Sequence, residues 1–217
     1  QSDEQKYGSE SVTVHAQTVQ VTATQDMLLM SAIDLENEIV ADVGEAFAQN
    51  EGNLFLLGDG NKQPGGVVTD GRCQEVTTAG TTLTFDDFAE ITGELKRGYN
   101  PVWLFNRKTL AHLFTIKDND LNPIWQPVGG AGRPVIYGYG YDSSAIDLED
   151  PTAGTGGKPV LFGDFRRGYE IYDLMGTAVV RDDYTQASRR KVIWTFYRYL
   201  TGKVILPESI KIMVIGS

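Results

Sequence analysis

Ser31 to Leu57 reads SAIDLENEIVADVGEAFAQNEGNLFLL. Apolar residues recur at a heptad interval through Ile33, Val40, Phe47 and Leu54. Ile39, Val43, Ala46 and Leu57 widen that line into a stripe about 100° across, the pattern of a helix with one buried face. Ser31 and Asp34 stand at capping-box spacing, where each side chain satisfies a backbone donor that the first turn leaves unpaired. Helical throughout, the segment would be roughly 39 Å long at about 1.5 Å per residue. Gly44 and Gly52 each weaken it by roughly 1 kcal/mol relative to alanine, so packing must hold the rod together. No other stretch promises so long a helix, and the rest reads as shorter elements that pack on or beside it.

At 217 residues and 41% hydrophobic content, the chain suits one large domain or two small lobes with a real core. Charged residues at 22% and aromatics at 10% are ordinary for a globular protein and exclude a disordered one. Glycine clusters at 52–66 and 129–157 predict many turns in a strand-rich fold. The net charge of −10 is unevenly spread: residues 1–51 carry ten acids against the single Lys6, and the remainder is close to neutral. Nucleic-acid binding depends on Lys/Arg density, so a sequence-specific DNA- or RNA-binding domain is not expected. The acidic segment reads as a solvated helix face, or as a surface that meets a basic partner or repels packed nucleic acid. The lone Cys73 excludes an internal disulfide and fits a reducing compartment. No apolar run reaches membrane-spanning length, and no signal peptide is visible. The opening at Gln1, without methionine, suggests a trimmed or processed piece of something longer.

Ser11–Thr24 alternates as one long strand, with a phase slip near Ala16–Val19 that predicts a bulge. Met27–Met30 reads as an apolar bridge into the long helix, which Gly58-Asp59-Gly60 ends before a turn at Lys62–Gly66. A second helix is expected from Thr84 to about Lys96, capped by Asp87 with Glu90 and stopped by Gly98. Val102–Phe105 is a buried strand, and Asn106 caps a third helix, Arg107–Lys117. Short strands follow through Trp125, Val135–Tyr141 and Val160–Phe162. Tyr169–Asp173 and Thr177–Arg181 look like a hairpin around Leu174-Met175-Gly176. Lys191–Leu200 is a second long strand, rich in β-branched and aromatic residues, and Val204–Leu206 and Ile210–Ile215 close the chain. The class is α+β.

The search for chemistry finds little. His15 and His112 lie in a strand and on a helix, with no metal-ligand spacing around them. Cys73 has no histidine near it in sequence, and no G-x-S-x-G occurs. Gly154–Pro159 (GTGGKP) lacks both the spacing and the Ser/Thr of a phosphate loop. Asp86–Asp87 and Asp182–Asp183 are paired acids that suit helix capping and a turn beside Arg181 as well as acid–base work. Arg166-Arg167 and Arg189-Arg190-Lys191 are the basic clusters, readable as solvated turns or as arginine anchors at a subunit interface. No catalytic, cofactor-binding or metal-ligating residue is expected, and no cofactor.

Four stretches carry a resemblance. Phe162–Tyr184, FGDFRRGYEIYDLMGTAVVRDDY, resembles the F-G-D-F-x-x-G-Y-x-I-x-D…R-D-x-Y signature of tailed-phage major capsid proteins of the HK97 fold. Leu57–Val68 (LLGDGNKQPGGVV) is similar to the family's GDG…P-x-G passage. Gly98–Pro127 (GYNPVWLFNRKTLAHLFTIKDNDLNPIWQP) resembles its N-x-V-W-x-x-N…L-K-D…W-x-P stretch, and Gly202–Val214 (GKVILPESIKIMV) its closing P-E-A-I-K segment. They occur in collinear order and span nearly the whole chain after Met27.

The resemblance implies a non-enzymatic shell protein that self-assembles, as pentamers and hexamers, into an icosahedral head enclosing double-stranded DNA. A scaffold and a prohead protease would be its assembly partners, the bacterial cytoplasm its place of synthesis and the virion its destination. It also implies a division of the chain. Residues 1–25 would be the end of an extended loop and its strand, 26–59 the peripheral domain with its spine helix, and 60–185 the axial domain. Residues 186–203 would be the peripheral domain's long strand, and 204–217 a final strand returning to the axial domain. On this resemblance the sequence from Gln1 would lack the family's N-terminal arm and most of its extended loop. Some members cross-link through a Lys–Asn isopeptide; here the loop remnant has only Lys6 and the Asp182–Ser188 turn has no Asn, so no such link is expected. Two other readings stand beside it: an encapsulin-like compartment shell with the same fold, and an α+β hydrolase using Asp182 and Asp183.

Overall fold

The computed structural model describes residues 12–30, 34–117 and 135–217. The chain forms two compact units, one of residues 1–44 with 171–201 and one of 45–170 with 202–217.

The first unit is built on a three-stranded sheet of order β1-β8-β7, from β1 (His15–Thr24), β8 (Lys191–Val204) and β7 (Tyr169–Asp182), the last two running on into the second unit. β1 and β8 are antiparallel in an unbroken register from His15 opposite Leu200 to Thr24 opposite Lys191. The expected bulge in β1 is therefore not there. The apparent slip arises because Ala16 and Val19 fall on opposite faces of one regular strand, and Gln17 rather than an apolar residue takes the buried position between them. Along β8, Val192, Trp194 and Phe196 are buried at every second position, the period that points alternate side chains to one face. The Arg181 guanidinium lies 5.6 Å over the Trp194 ring.

β7 corrects the predicted hairpin. It is one strand of fourteen residues that passes straight through Leu174-Met175-Gly176. A two-residue hairpin turn needs positive φ, and Gly176 does not adopt it. The Met27–Met30 bridge is also more regular than expected, forming the short helix α1 (Gln25–Met30).

The long helix, α2 (Leu35–Leu57), is continuous through both Gly44 and Gly52. Ser31 and Ile33 lie outside the described residues. Asp34 itself serves as the cap, its carboxylate accepting from the Asn37 amide at 3.4 Å. The buried line is Ile39, Val43 and Phe47, while Val40 and Ala46 are exposed. Burial thus follows the i, i+4 row of a straight helix, and the heptad line drifts off it because 3.6 residues per turn do not divide seven.

The second unit holds a six-stranded mixed sheet of order β2-β9-β6-β3-β5-β4, from β2 (Gln74–Thr77), β3 (Val102–Phe105), β4 (Val135–Ile136), β5 (Tyr139–Asp142), β6 (Val160–Gly163) and β9 (Ile210–Val214). Alternation along β6 and β9 divides the core in two. Leu161, Ile210 and Ile212 join one buried cluster with Leu56, Val68 and Leu148, and Val160, Phe162 and Met213 join the other with Trp103, Phe88 and Leu113. Trp103 is the centre of the second cluster. Its ring lies 4.0 Å from Phe162 and 5.0 Å from Phe88 by centroid, and its Nε1 donates to the Ile136 carbonyl at 3.0 Å.

Two helices lie in this unit's middle. α3 (Phe85–Gly93) starts on a capping box in which the Asp87 carboxylate accepts from both the amide and the hydroxyl of Thr84 at 2.7 Å. The cap is therefore Thr84 with Asp87, three residues earlier than Asp87 with Glu90, and the helix ends at Gly93, before Lys96 and Gly98. α4 (Arg107–Thr115) begins where expected, with the Asn106 carboxamide accepting from Thr109 N at 2.7 Å, and stops two residues short of Lys117. Trp125 lies outside the described residues.

The end of α2 shows what the glycine-rich passage does. The amides of Val67 and Val68 donate back to the carbonyls of Phe55 and Leu56 at 2.9 Å, satisfying acceptors that the last helical turn leaves open. That fold-back needs close backbone approach, and a Cβ at Gly58 or Gly66 would collide with main-chain atoms of Leu54 and Pro64, or of Leu56. Nearby, a Cβ at Gly202 would run into the Tyr169 ring and hydroxyl.

The exposed and crowded glycines should respond in opposite directions. A Cβ at Gly44 or Gly52 meets nothing within 4 Å, so Gly44→Ala and Gly52→Ala should each raise stability by roughly 0.5–1 kcal/mol. Gly202→Ala should lower it by about 1–3 kcal/mol through overpacking. Urea unfolding of the three variants checks both signs.

Candidate assembly surfaces

The paired acids can be placed first, because they bear on whether the chain has an active site. Asp182 accepts from the Thr185 hydroxyl and from the amides of Tyr184 at 2.8 Å and Thr185 at 3.0 Å. These bonds, led by the Thr185 hydroxyl, hold its carboxyl below the usual range. Asp183 pairs instead with Arg181 at 3.0 Å. Asp182 thus caps the turn that follows β7, and Asp183 ties that turn to Arg181. Asp87 is likewise occupied by the α3 cap.

His112 Nε2 lies 3.2 Å from the Leu83 carbonyl. Gly154–Pro159 is bonded to the last strand's exit, with Gly156 N donating to Ile215 O and Ile215 N to Gly157 O, both at 2.8 Å. Its Lys158 pairs with Glu75 at 2.6 Å. Among the described residues no three His, Cys, Asp or Glu side chains gather as a metal site, and no helix is long and apolar enough to cross a membrane. Cys73 is buried in the cluster of Leu161 and Ile212, and burial pushes its thiol up to about 11.

The exposed features are of a different kind. β7 is solvent-accessible along almost its whole length, showing Ile171, Leu174, Met175, Val179 and Val180. α1 buries none of its residues, and Leu29 and Met30 are 80% and 85% exposed. Such apolar surface is characteristic of contact with other protein.

The four arginines fall in three settings. Arg166 and Arg167 form the short helix α5 (Phe165–Gly168), N-capped by Asp164, which is buried and accepts from Arg167 N at 3.3 Å. With Asn100, Val102, Asp164 and Phe165 they line a cleft of about 550 Å³. Arg189 ends a 3₁₀ turn, Ala187–Arg189, and is exposed. Arg190 adopts φ 54°, its carbonyl accepting from Gln25 N at 2.8 Å and its guanidinium pairing with Asp26 at 3.2 Å. It is thus a structural joint between α1 and the start of β8. Positive φ in a non-glycine residue has no periodic signature, so sequence reasoning missed that role. The apolar dress of α1 and β7 was visible as Met27–Met30 and Ile171–Val180, but exposure is not legible from composition.

The family model described as the Phage capsid family matches residues 1–215. The chain belongs to that family. The fold agrees. A structure titled the capsid of an empty GTA particle computed with C5 symmetry superposes with a TM-score of 0.83 at 24% identity, covering 100% of this chain and 80% of that one. A structure from Gordonia phage Cozz gives 0.69 at 12% identity over 94% of this chain and 70% of the other. A holo-SrpI encapsulin complex from Synechococcus elongatus gives 0.67 at 14% identity, over 93% and 73%. No curated protein sequence gives a significant match. The architecture is therefore the HK97-like α+β fold, and the chain is a structural shell protein of the capsid family.

A shell role asks nothing of the thiol. Native protein at about pH 8 should react with a thiol reagent at least ~100-fold more slowly than the urea-unfolded chain, since the thiolate is both scarce and inaccessible. Equal rates would show that Cys73 is not in the core.

Proposed function

We propose that this chain is the major subunit of an icosahedral phage or prophage head, assembling as pentamers and hexamers into a shell around double-stranded DNA. The observation that carries the proposal is the family match over residues 1–215. The C5 symmetry of the GTA capsid structure supports assembly about five-fold axes. The exposed apolar faces of β7 and α1 supply surface that a repeated contact would bury. In this reading residues 1–25 end an extended loop, 26–59 with 186–203 make the peripheral domain, and 60–185 with 204–217 make the axial domain. Arg166, Arg167, Arg189 and Arg190 lie at subunit interfaces. A scaffold and a prohead protease act on the nascent shell, which forms in the bacterial cytoplasm before entering the virion.

The acidic N-terminal segment is consistent with this, because a shell surface near packed DNA must not grip it. The encapsulin structure supports a second reading with the same fold, a compartment around cargo protein. Portal and terminase genes beside this one would favour the head; a cargo-enzyme gene would favour the compartment.

Expressed with its scaffold and protease, the complete gene product should form closed shells of uniform diameter by electron microscopy. A strictly monomeric product under those conditions would overturn the proposal.

A further inference from the structure

The corner around α5 carries positive charge that its own neighbours answer only in part. Asp164 is its buried carboxylate, and the amides of Asn100 and Arg167 bind it at 3.2 and 3.3 Å as a cap. Its approach to the Arg167 guanidinium is long, at 3.9 Å, and that guanidinium also donates to the Gly98 carbonyl at 3.4 Å. Glu208, the other acid nearby, is taken by Lys96 and by the Tyr99 hydroxyl. Arg97 and Arg166 are exposed, and among the described residues neither enters an ion pair. The side chains of Arg166 and Arg167 therefore stand at the rim of the 550 Å³ cleft with donors to spare.

The opposite sign is unanswered on α2. Glu36 is bound by Arg181 at 2.6 Å. Glu38 and Asp42, one helical turn apart and both exposed, take part in no ion pair among the described residues. Carboxylates at i and i+4 repel each other, so a helix holding two of them on one solvent face gains from an external cation. Arginine suits that role, because its planar fork binds carboxylate bidentately. When a surface and its complement sit on the same chain and neither is satisfied there, copies can satisfy one another head to tail, the arrangement that closes rings and shells.

We propose that in the assembled shell the Arg166–Arg167 cleft of one copy receives the Glu38–Asp42 face of α2 from a neighbouring copy. The inference rests on the shell reading above and names the partner of one of its arginine pairs. Both sites are exposed and outside the core, so the variants that test it should fold.

The test is a charge swap in the complete gene product, expressed with its scaffold and protease. Arg166→Glu with Arg167→Glu, and separately Glu38→Arg with Asp42→Arg, should each cut the yield of sedimenting shells by about tenfold or more, since like charges then face each other. The four changes together should recover most of the wild-type yield. Unchanged midpoints of thermal unfolding for the soluble variants verify folding. Recovery in the combined variant supports the contact. Loss in both single-side variants without recovery overturns it, as does normal assembly in either one. Normal shells from Arg166→Glu with Arg167→Glu that retain less DNA would assign the cleft to nucleic acid and also overturn it. Absence of shells from the wild-type chain would instead sink the shell reading itself, so the two failures are distinguishable.

Discussion

The Tyr169 hydroxyl donates to the Gly65 carbonyl at 2.7 Å, and the Gly65 amide donates to the Gly202 carbonyl at 2.9 Å. The Tyr169 ring lies over Gly202 where a side chain would otherwise be, and its edge meets Phe55 at 5.8 Å. This small knot ties together the last turns of α2, the glycine-rich return after it, the first residue of β7 and the end of β8. All of these residues belong to the second unit, where the knot fixes the return after α2 against the start of β7 and the end of β8. Burial pushes the phenol well above its ordinary value, which keeps the hydroxyl a donor at any physiological pH.

Each unit solves burial differently. The six-stranded sheet is covered on both faces, with leucine and isoleucine of one alternation set in one cluster and the aromatics of the other set around Trp103. The three-stranded sheet of the first unit buries one row of β8 and leaves β7 accessible almost throughout. A monomer gains nothing from a fourteen-residue strand dressed in Ile, Leu, Met and Val and left in water. A shell subunit does, because each copy's exposed surface is another copy's contact. Asp182, Asp87 and Asp164 are all engaged in capping backbone amides.

Much of the fold was legible because it rests on local signals. Asn106 before an apolar helix, Gly58 after Leu57 and the β-branched run of β8 each act within a few residues, and each element lies where those signals place it. The errors share a physical cause. The sequence reads as a hairpin around Leu174-Met175-Gly176, yet β7 runs through those residues as one exposed strand beside β8. The bulge in β1 was inferred from Val and Ala positions, whereas the register with β8 is set by backbone pairing that ignores a buried Gln17. The α3 cap was shifted because Asp87, Glu90 and Thr84 are all competent cap residues, and only the path of the chain into the helix selects among them. Arg166 and Arg167 were marked by sequence as a basic pair; that Asp164 is bound by amides and leaves them donors to spare was not.

By itself, the sequence determined the α+β class, the long helix, the strands near both ends and, through four collinear motifs, membership of a capsid family. Those follow from periodicity, capping chemistry and glycine placement, which act over short distances along the chain. Only the tertiary structure decided which of α2's apolar positions are buried, that β7 is one strand, and why Gly58, Gly66 and Gly202 must be glycine. It also separated acids already engaged from those left open, Glu38 and Asp42 on α2. These depend on which main-chain atoms approach across large sequence separations, as Tyr169 does to Gly65 and Gly202, and no local pattern encodes that distance.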